Sequence, residues 1–188
     1  MRTSLFVAIL CGLFVASCAD EDDRALLAAA EAGDIARVRS ALAAGADVEA
    51  RDAGELLGVP LERTPLMLAS EAGHVDVVVA LLRAGARVDS RSGAGQESAL
   101  LGAAIAGHES VADALLRAGA TVDLPNKWGK TPLMWAASSG HPALIRRLLA
   151  AGASIDARDQ DGRTALDHAR ASAKTDIGVL DALAPGAR

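Results

Sequence analysis

One segment of this chain returns in register every 33 or 34 residues, and that spacing limits the fold more than any other property. Thr64–His74 aligns with Ser98–His108 and with Thr131–His141, and the stretches that follow, Val78–Ala86, Ala112–Ala120 and Ile145–Ala153, align as well. A further start stands at Thr164, and an earlier unit runs from Ala25 through Gly33 to Ala46. A unit of this length cannot bury its own apolar face. Several must stack so that each covers the next, which argues for a quasi-linear array rather than one closed core.

The residue types within each unit describe two short helices. Thr64, Ser98, Thr131 and Thr164 are N-cap types, and Pro65 and Pro132 fall at the first helical position, where a missing N–H costs nothing. Gly33, Gly73, Gly107 and Gly140 fit the left-handed position that ends a first helix, and Gly45, Gly85, Gly119 and Gly152 end a second one. The pairs Leu81-Leu82, Leu115-Leu116 and Leu148-Leu149 give each second helix an apolar stripe. Alanine fills roughly a quarter of the chain, Tyr is absent, and the only aromatics are Phe6, Phe14, Trp128 and Trp135. Few side chains can fill a wide gap, so the helices must approach closely.

The Thr-Pro-Leu starts, the central Ala-Ala-x-x-Gly-His and the closing Leu-Leu-x-x-Gly-Ala resemble the ankyrin repeat, over roughly Arg24 to Leu183. The resemblance implies an all-α solenoid of about five stacked helix-turn-helix units with projecting β-turn fingers, over 24–63, 64–97, 98–130, 131–163 and 164–183 of a domain spanning 24–188. The His that often follows Thr-Pro-Leu in the family is replaced by Met67, Leu101, Met134 and Asp167, so a local hydrogen bond is expected to be lost. The terminal units are irregular, as array ends are. One interval, Gly45 to Gly85, spans 40 residues, and the extra seven fall around Ala53 to Glu62. Leu56, Leu57, Val59 and Leu61 crowd this finger. It is either folded back on its own repeat or an apolar contact surface.

The first residues read as an address. A charged start at Arg2 precedes the apolar run Leu5–Ser17, whose 13 residues would span only about 20 Å as a helix, short of a bilayer core. Val15-Ala16-Ser17-Cys18 resembles the lipobox of bacterial lipoproteins, which implies removal of 1–17 and lipidation of Cys18. The mature chain would then have no free thiol. Ala19, rather than Asp, after that Cys points by resemblance to the outer membrane, facing the periplasm. Residues 18–23, ending in Asp20-Glu21-Asp22-Asp23, are expected to be a short acidic tether.

No reactive constellation stands out, and the chain does not read as an enzyme or as needing a cofactor. His74, His108 and His141 recur at the repeat spacing. Stacked helices sit about 8–10 Å apart, too far for three such His to share a metal, so these read as residues linking one repeat to the next. A net charge of −5 with three lysines argues against nucleic acid. What remains is surface, and the resemblance implies a protein partner bound through fingers and first helices. Carried over residue by residue, the contact positions are Arg91, Lys127, Trp128, Lys130, Gln160, Asp161 and Arg163 in the fingers, with Glu71, Ile105 and Ser138 on helices. Trp128 is the expected anchor, Trp135 is expected in the core, and a monomer is the default. The reading is an envelope-anchored interaction module. The alternative is an immunity or stress-protection protein that neutralises a toxin or supports an envelope enzyme.

Overall fold

The computed structural model describes residues 21–184 except 57, 94 and 175–176. The expected signal segment 1–17 and residues 18–20 of the expected tether, Cys18 among them, lie outside the described residues. Helix α1 covers 21–32, so Glu21 to Asp23 are helical, and Asp23 accepts a hydrogen bond from the Asp47 N–H at 2.7 Å. These acidic residues are part of the first repeat.

The chain then alternates first and second helices. These are α2 (Ile35–Ala44), α3 (Pro65–Ala72), α4 (Val75–Arg83), α5 (Ala99–Ala106), α6 (Glu109–Arg117), α7 (Pro132–Ser139), α8 (Pro142–Ala150), α9 (Ala165–Ala171) and α10 (Ile177–Ala182). The first helices α3, α5, α7 and α9 pack in one row and the second helices α2, α4, α6, α8 and α10 in another, as the repeat spacing requires. The caps act as the residue types predict. Thr64, Ser98, Thr131 and Thr164 each accept the N–H three residues on, at 3.3–3.4 Å. Between the rows lies a continuous core in which Leu81, Leu115 and Leu148 are fully buried, while Leu82, Leu116 and Leu149 pack partly buried beside them.

The hydrogen bond expected to be lost with the family His is partly kept. Asp167 accepts from both the N–H and the hydroxyl of Thr164, at 2.9 and 2.7 Å, and Met67 Sδ lies 3.5 Å from the Thr64 N–H. A carboxylate or a thioether at that position can still face the cap.

Consecutive repeats are latched by the recurring histidines. His74 Nε2 meets the Glu31 carbonyl at 3.0 Å, His108 the Glu71 carbonyl at 3.1 Å and His141 the Ile105 carbonyl at 3.2 Å. Each ring lies on the glycine that ends the preceding first helix. A Cβ on Gly33, Gly73 or Gly107 would stand 2.5–2.6 Å from the imidazole, so the glycine serves the latch as well as the left-handed turn. The equivalent last carbonyl, of Ser138, is taken instead by the Ser172 hydroxyl at 2.6 Å.

The extra residues of the long interval form a small antiparallel hairpin, β1 (Glu55–Leu56) against β2 (Val59–Pro60), with Glu55 opposite Pro60. Its base is tied to the next finger: the Leu61 carbonyl accepts from Gly93 N–H at 2.9 Å, and Arg51 donates to the carbonyls of Glu62 and Arg91. Among the described residues no helix is long and apolar enough to cross a membrane.

Candidate protein-binding surface

Each finger hangs from one polar residue at its base. Asn126, 4 % exposed, accepts the N–H groups of Trp128 and Lys130 through Oδ1, both at 3.0 Å. This double acceptance folds the 126–130 turn tightly and projects Trp128, which is 45 % exposed. The next finger holds it from behind. Gln160 donates its backbone N–H to the Trp128 carbonyl at 3.1 Å and its side-chain amide to the Lys127 carbonyl at 2.8 Å. The indole is thus presented on backbone whose position is already fixed, which lowers the entropy lost on binding.

Between these fingers lies a cavity of about 310 Å³ lined by Trp128, Lys130, Trp135, Asp159, Gln160 and Asp161. The Lys127 ammonium sits 4.5 Å from the centre of the Trp128 ring and that of Lys130 4.9 Å from the centre of Trp135. Trp135 is half-buried and walls the cavity, not sealed in the core as its sequence position predicts. The preceding repeats fill the same slot with Leu68 and Gly102, both buried, and an indole is too large for the slot to close over.

The finger bases of the other repeats are satisfied differently. Asp159 accepts from the N–H groups of Asp161 and Arg163 through Oδ1, and Oδ2 lies 2.7 Å from His168 Nε2. Burial works to raise the Asp159 carboxyl, but hydrogen bonds from Arg163, His168 and Asp161 outweigh it and hold the group below the ordinary carboxylate range. Asp52 binds the Arg63 N–H and, through Oδ2, its guanidinium at 2.7 Å. At Asn126 the second side-chain atom is an amide, and that Nδ2 is buried without a partner. Trp135, nine residues on as His168 is from Asp159, likewise has a buried Nε1–H without a partner.

A second hollow, of about 350 Å³, opens among Leu61, Arg63, Glu71, Glu97, Gly102 and Ile105. Burial pushes the Glu71 carboxyl up against the pull of Arg63, which pairs with it at 3.2 Å, and burial likewise raises Glu97. A side chain at Gly102 would place its Cβ 2.8 Å from Glu71 Cγ, so that glycine lets Glu71 lie across α5. The presence of Leu61 here brings the base of the inserted finger to the same face as Glu71 and Ile105.

Of the contact positions read from sequence, Trp128, Lys130, Gln160 and Asp161 line one cavity, and Lys127 stands beside it over the Trp128 ring. Glu71 and Ile105 line the other. Arg163 is exposed, 3.9 Å from Asp161. Ser138 is half-buried, its hydroxyl turned to its own helix at the Trp135 carbonyl. Arg91 is occupied in holding fingers together, donating to Gln96 Oε1 at 3.0 Å and to the Pro125 carbonyl at 2.5 Å. Asn126 was not singled out by sequence, although its column, aligned with Asp159, shows an amide where an acid stands one repeat later. Among the described residues no three or more His, Cys, Asp or Glu are grouped to hold a metal.

The sequence profile of ankyrin repeats matches the chain in three copies, over residues 2–92, 25–126 and 100–186. The chain belongs to the ankyrin-repeat family. No curated protein matches it. Ankyrin repeats are generally protein–protein interaction modules and typically not enzymes, and the exposed indole on a clamped finger fits that use.

Proposed function

We propose that this protein is a lipid-anchored binding module of the bacterial cell envelope, which engages one partner protein through its fingers and the adjoining first-helix face. The observation that carries the binding reading is Trp128, a large apolar side chain left exposed on a turn that Asn126 and Gln160 hold in place. Large rigid aromatics beside a cavity are the usual anchors of interfaces, because they bury much area and lose little entropy. The lipobox sequence at 15–18 supports the anchoring, with Cys18 as the lipidated residue and the periplasmic face of the outer membrane as the location. Several acyl chains on one cysteine hold a protein stably where a single chain would not.

Two experiments test the two halves. A photo-crosslinking residue at position 128 of the full-length chain in its native host is expected to give one dominant protein adduct. Adducts from the 53–62 finger alone would move the binding face, and silence at both would remove it. Metabolic labelling with a radioactive fatty acid is expected to mark the protein and to fail for Cys18→Ala, and equal labelling of that variant would refute the anchor.

A further inference from the structure

We propose that the hollow over α3 and α5 receives a cationic side chain, Arg or Lys, from the partner protein. This rests on the protein-binding reading and adds the partner's chemistry. The hollow owes its space to one residue. The column that holds Leu68 one repeat earlier and Trp135 one repeat later holds Gly102 here. Gly102 stands inside α5 without a positive φ, so its backbone does not require a glycine, and a glycine inside a helix weakens it. What the missing side chain provides is room. A Cβ at Gly102 would stand 2.8 Å from Glu71 Cγ, so Glu71 lies across α5 at the edge of a hollow of about 350 Å³.

The charges around the hollow choose its occupant. Arg63, Glu71 and Glu97 line it, and Asp52 stands behind Arg63. Arg63 donates from Nε at 2.9 Å and from Nη2 at 2.7 Å to Asp52, and from Nη1 at 3.2 Å to Glu71. Two carboxylates thus share one guanidinium. The Glu97 carboxylate accepts no hydrogen bond and forms no ion pair among the described residues, and Lys127 attracts it from the next finger. With Lys127 credited in full, three carboxylates still stand against two cations. Burial lifts the carboxyls of both glutamates, and Glu97 and Asp52 repel Glu71 against the pull of Arg63. The set lacks one positive charge. The walls suit the stem that would carry it. Leu61, Ile105 and Ala106 offer aliphatic surface for the methylenes of Arg or Lys, while the charged head reaches the two glutamates. An acidic side chain would meet like charge here, and an apolar one would bury the carboxylates further without a counter-ion.

The probe is the peptide Gly-Arg-Gly blocked at both termini, with Gly-citrulline-Gly as the uncharged control of the same shape. Added to the full chain at about 0.15 M salt, where long-range attraction is screened, the arginine peptide is expected to bind with a dissociation constant on the order of a few millimolar. It is expected to move the side-chain carboxyl resonances of Glu71 and Glu97 and the methyl resonances of Ile105, and to lower the pH at which Glu97 titrates, while the control does neither. Glu97→Gln keeps the shape and removes the charge, and is expected to weaken binding about tenfold, the scale of one lost charge-assisted bond. It is expected to cost no stability, because burial already disfavours that charge, so misfolding does not explain the loss. Asp181→Asn removes one negative charge from an exposed position on α10 and is expected to leave binding unchanged, which separates the hollow from the acidity of the whole chain. Equal response to the citrulline peptide, an unmoved Glu97 titration, or equal weakening by the two variants would overturn the proposal. Capture of a partner from position 128 together with an inert arginine peptide would overturn the cationic subsite and leave the protein-binding reading standing.

Discussion

The fingers at 126–130 and 159–163 share one backbone design and differ in what lies under it. In both, a polar side chain at the base accepts two N–H groups from the turn, and in both a glycine stands at φ near +77°. Under the later finger the second oxygen of Asp159 meets His168. Under the earlier one, Asn126 and Trp135 bring two donors and no acceptor, and a cavity opens beside them. One repeat register thus has two outcomes. The later base ties its finger to the helix below it, and the earlier one leaves two buried donors without a partner.

The comparison breaks most severely at Asp159. Asp159→Ala leaves His168 and two turn N–H groups without their acceptor and is expected to cost about 3 kcal/mol in urea unfolding. Because the folded carboxyl titrates below its ordinary range, its stabilisation is present above the unfolded value of about 3.9 and lost as pH falls through the lower folded one. The penalty of the substitution should therefore shrink in strong acid; a penalty that stays constant would mean that ionised Asp159 is not its source.

The two finger glycines sharpen the comparison. Gly129 and Gly162 share the left-handed conformation, so alanine at either meets the same intrinsic strain of roughly 1 kcal/mol. A Cβ on Gly129 would also stand 3.0 Å from the Gln160 backbone nitrogen, whereas one on Gly162 meets nothing within 4 Å. Gly129→Ala is expected to cost about 2 kcal/mol against about 1 for Gly162→Ala, as denaturation midpoints would show. Equal costs would mean that the two fingers do not press on each other.

Asn126→Asp should work in the opposite direction. It gives the earlier finger the later one's acceptor and is expected to raise stability by about 1 kcal/mol, the net worth of a buried hydrogen bond. A loss instead would mean that the Trp135 N–H does not face the finger base. The smallest effect is at Trp128. Because the ring is 45 % exposed, Trp128→Ala should change thermal stability by less than about 0.5 kcal/mol while removing partner capture. A large loss of stability would recast the indole as a structural strut.

Much of this architecture was legible because it obeys short-range rules. A threonine that caps the N–H three residues on, a proline at the next position and a glycine at the helix end are local signals, and a repeat states them several times over. The histidine latches were legible by elimination, since rings one repeat apart cannot share a metal. The candidate surface was less legible because it depends on which side chain lies beneath which turn. Nothing local shows that Arg91 spends its guanidinium on the Pro125 carbonyl, or that Gln160 grips the carbonyl of Lys127. Trp135 read as core because it stands where ankyrin repeats bury an apolar residue. Only the size of the slot, fitted to Leu68 and Gly102, shows that an indole must stand partly outside it. The hairpin at 55–60 has strands of two residues each, too short for alternation to be seen.

The histidine latches also set a direction in time. Each ring reaches back to a carbonyl of the repeat before it, from His74 to Glu31, from His108 to Glu71 and from His141 to Ile105. A chain is made from its N-terminus, so every new repeat emerges to find its acceptor already formed on the repeat that preceded it. No latch waits for a residue not yet synthesised. The array can be assembled one unit at a time as the chain appears, with the Ser172 hydroxyl closing the series on Ser138.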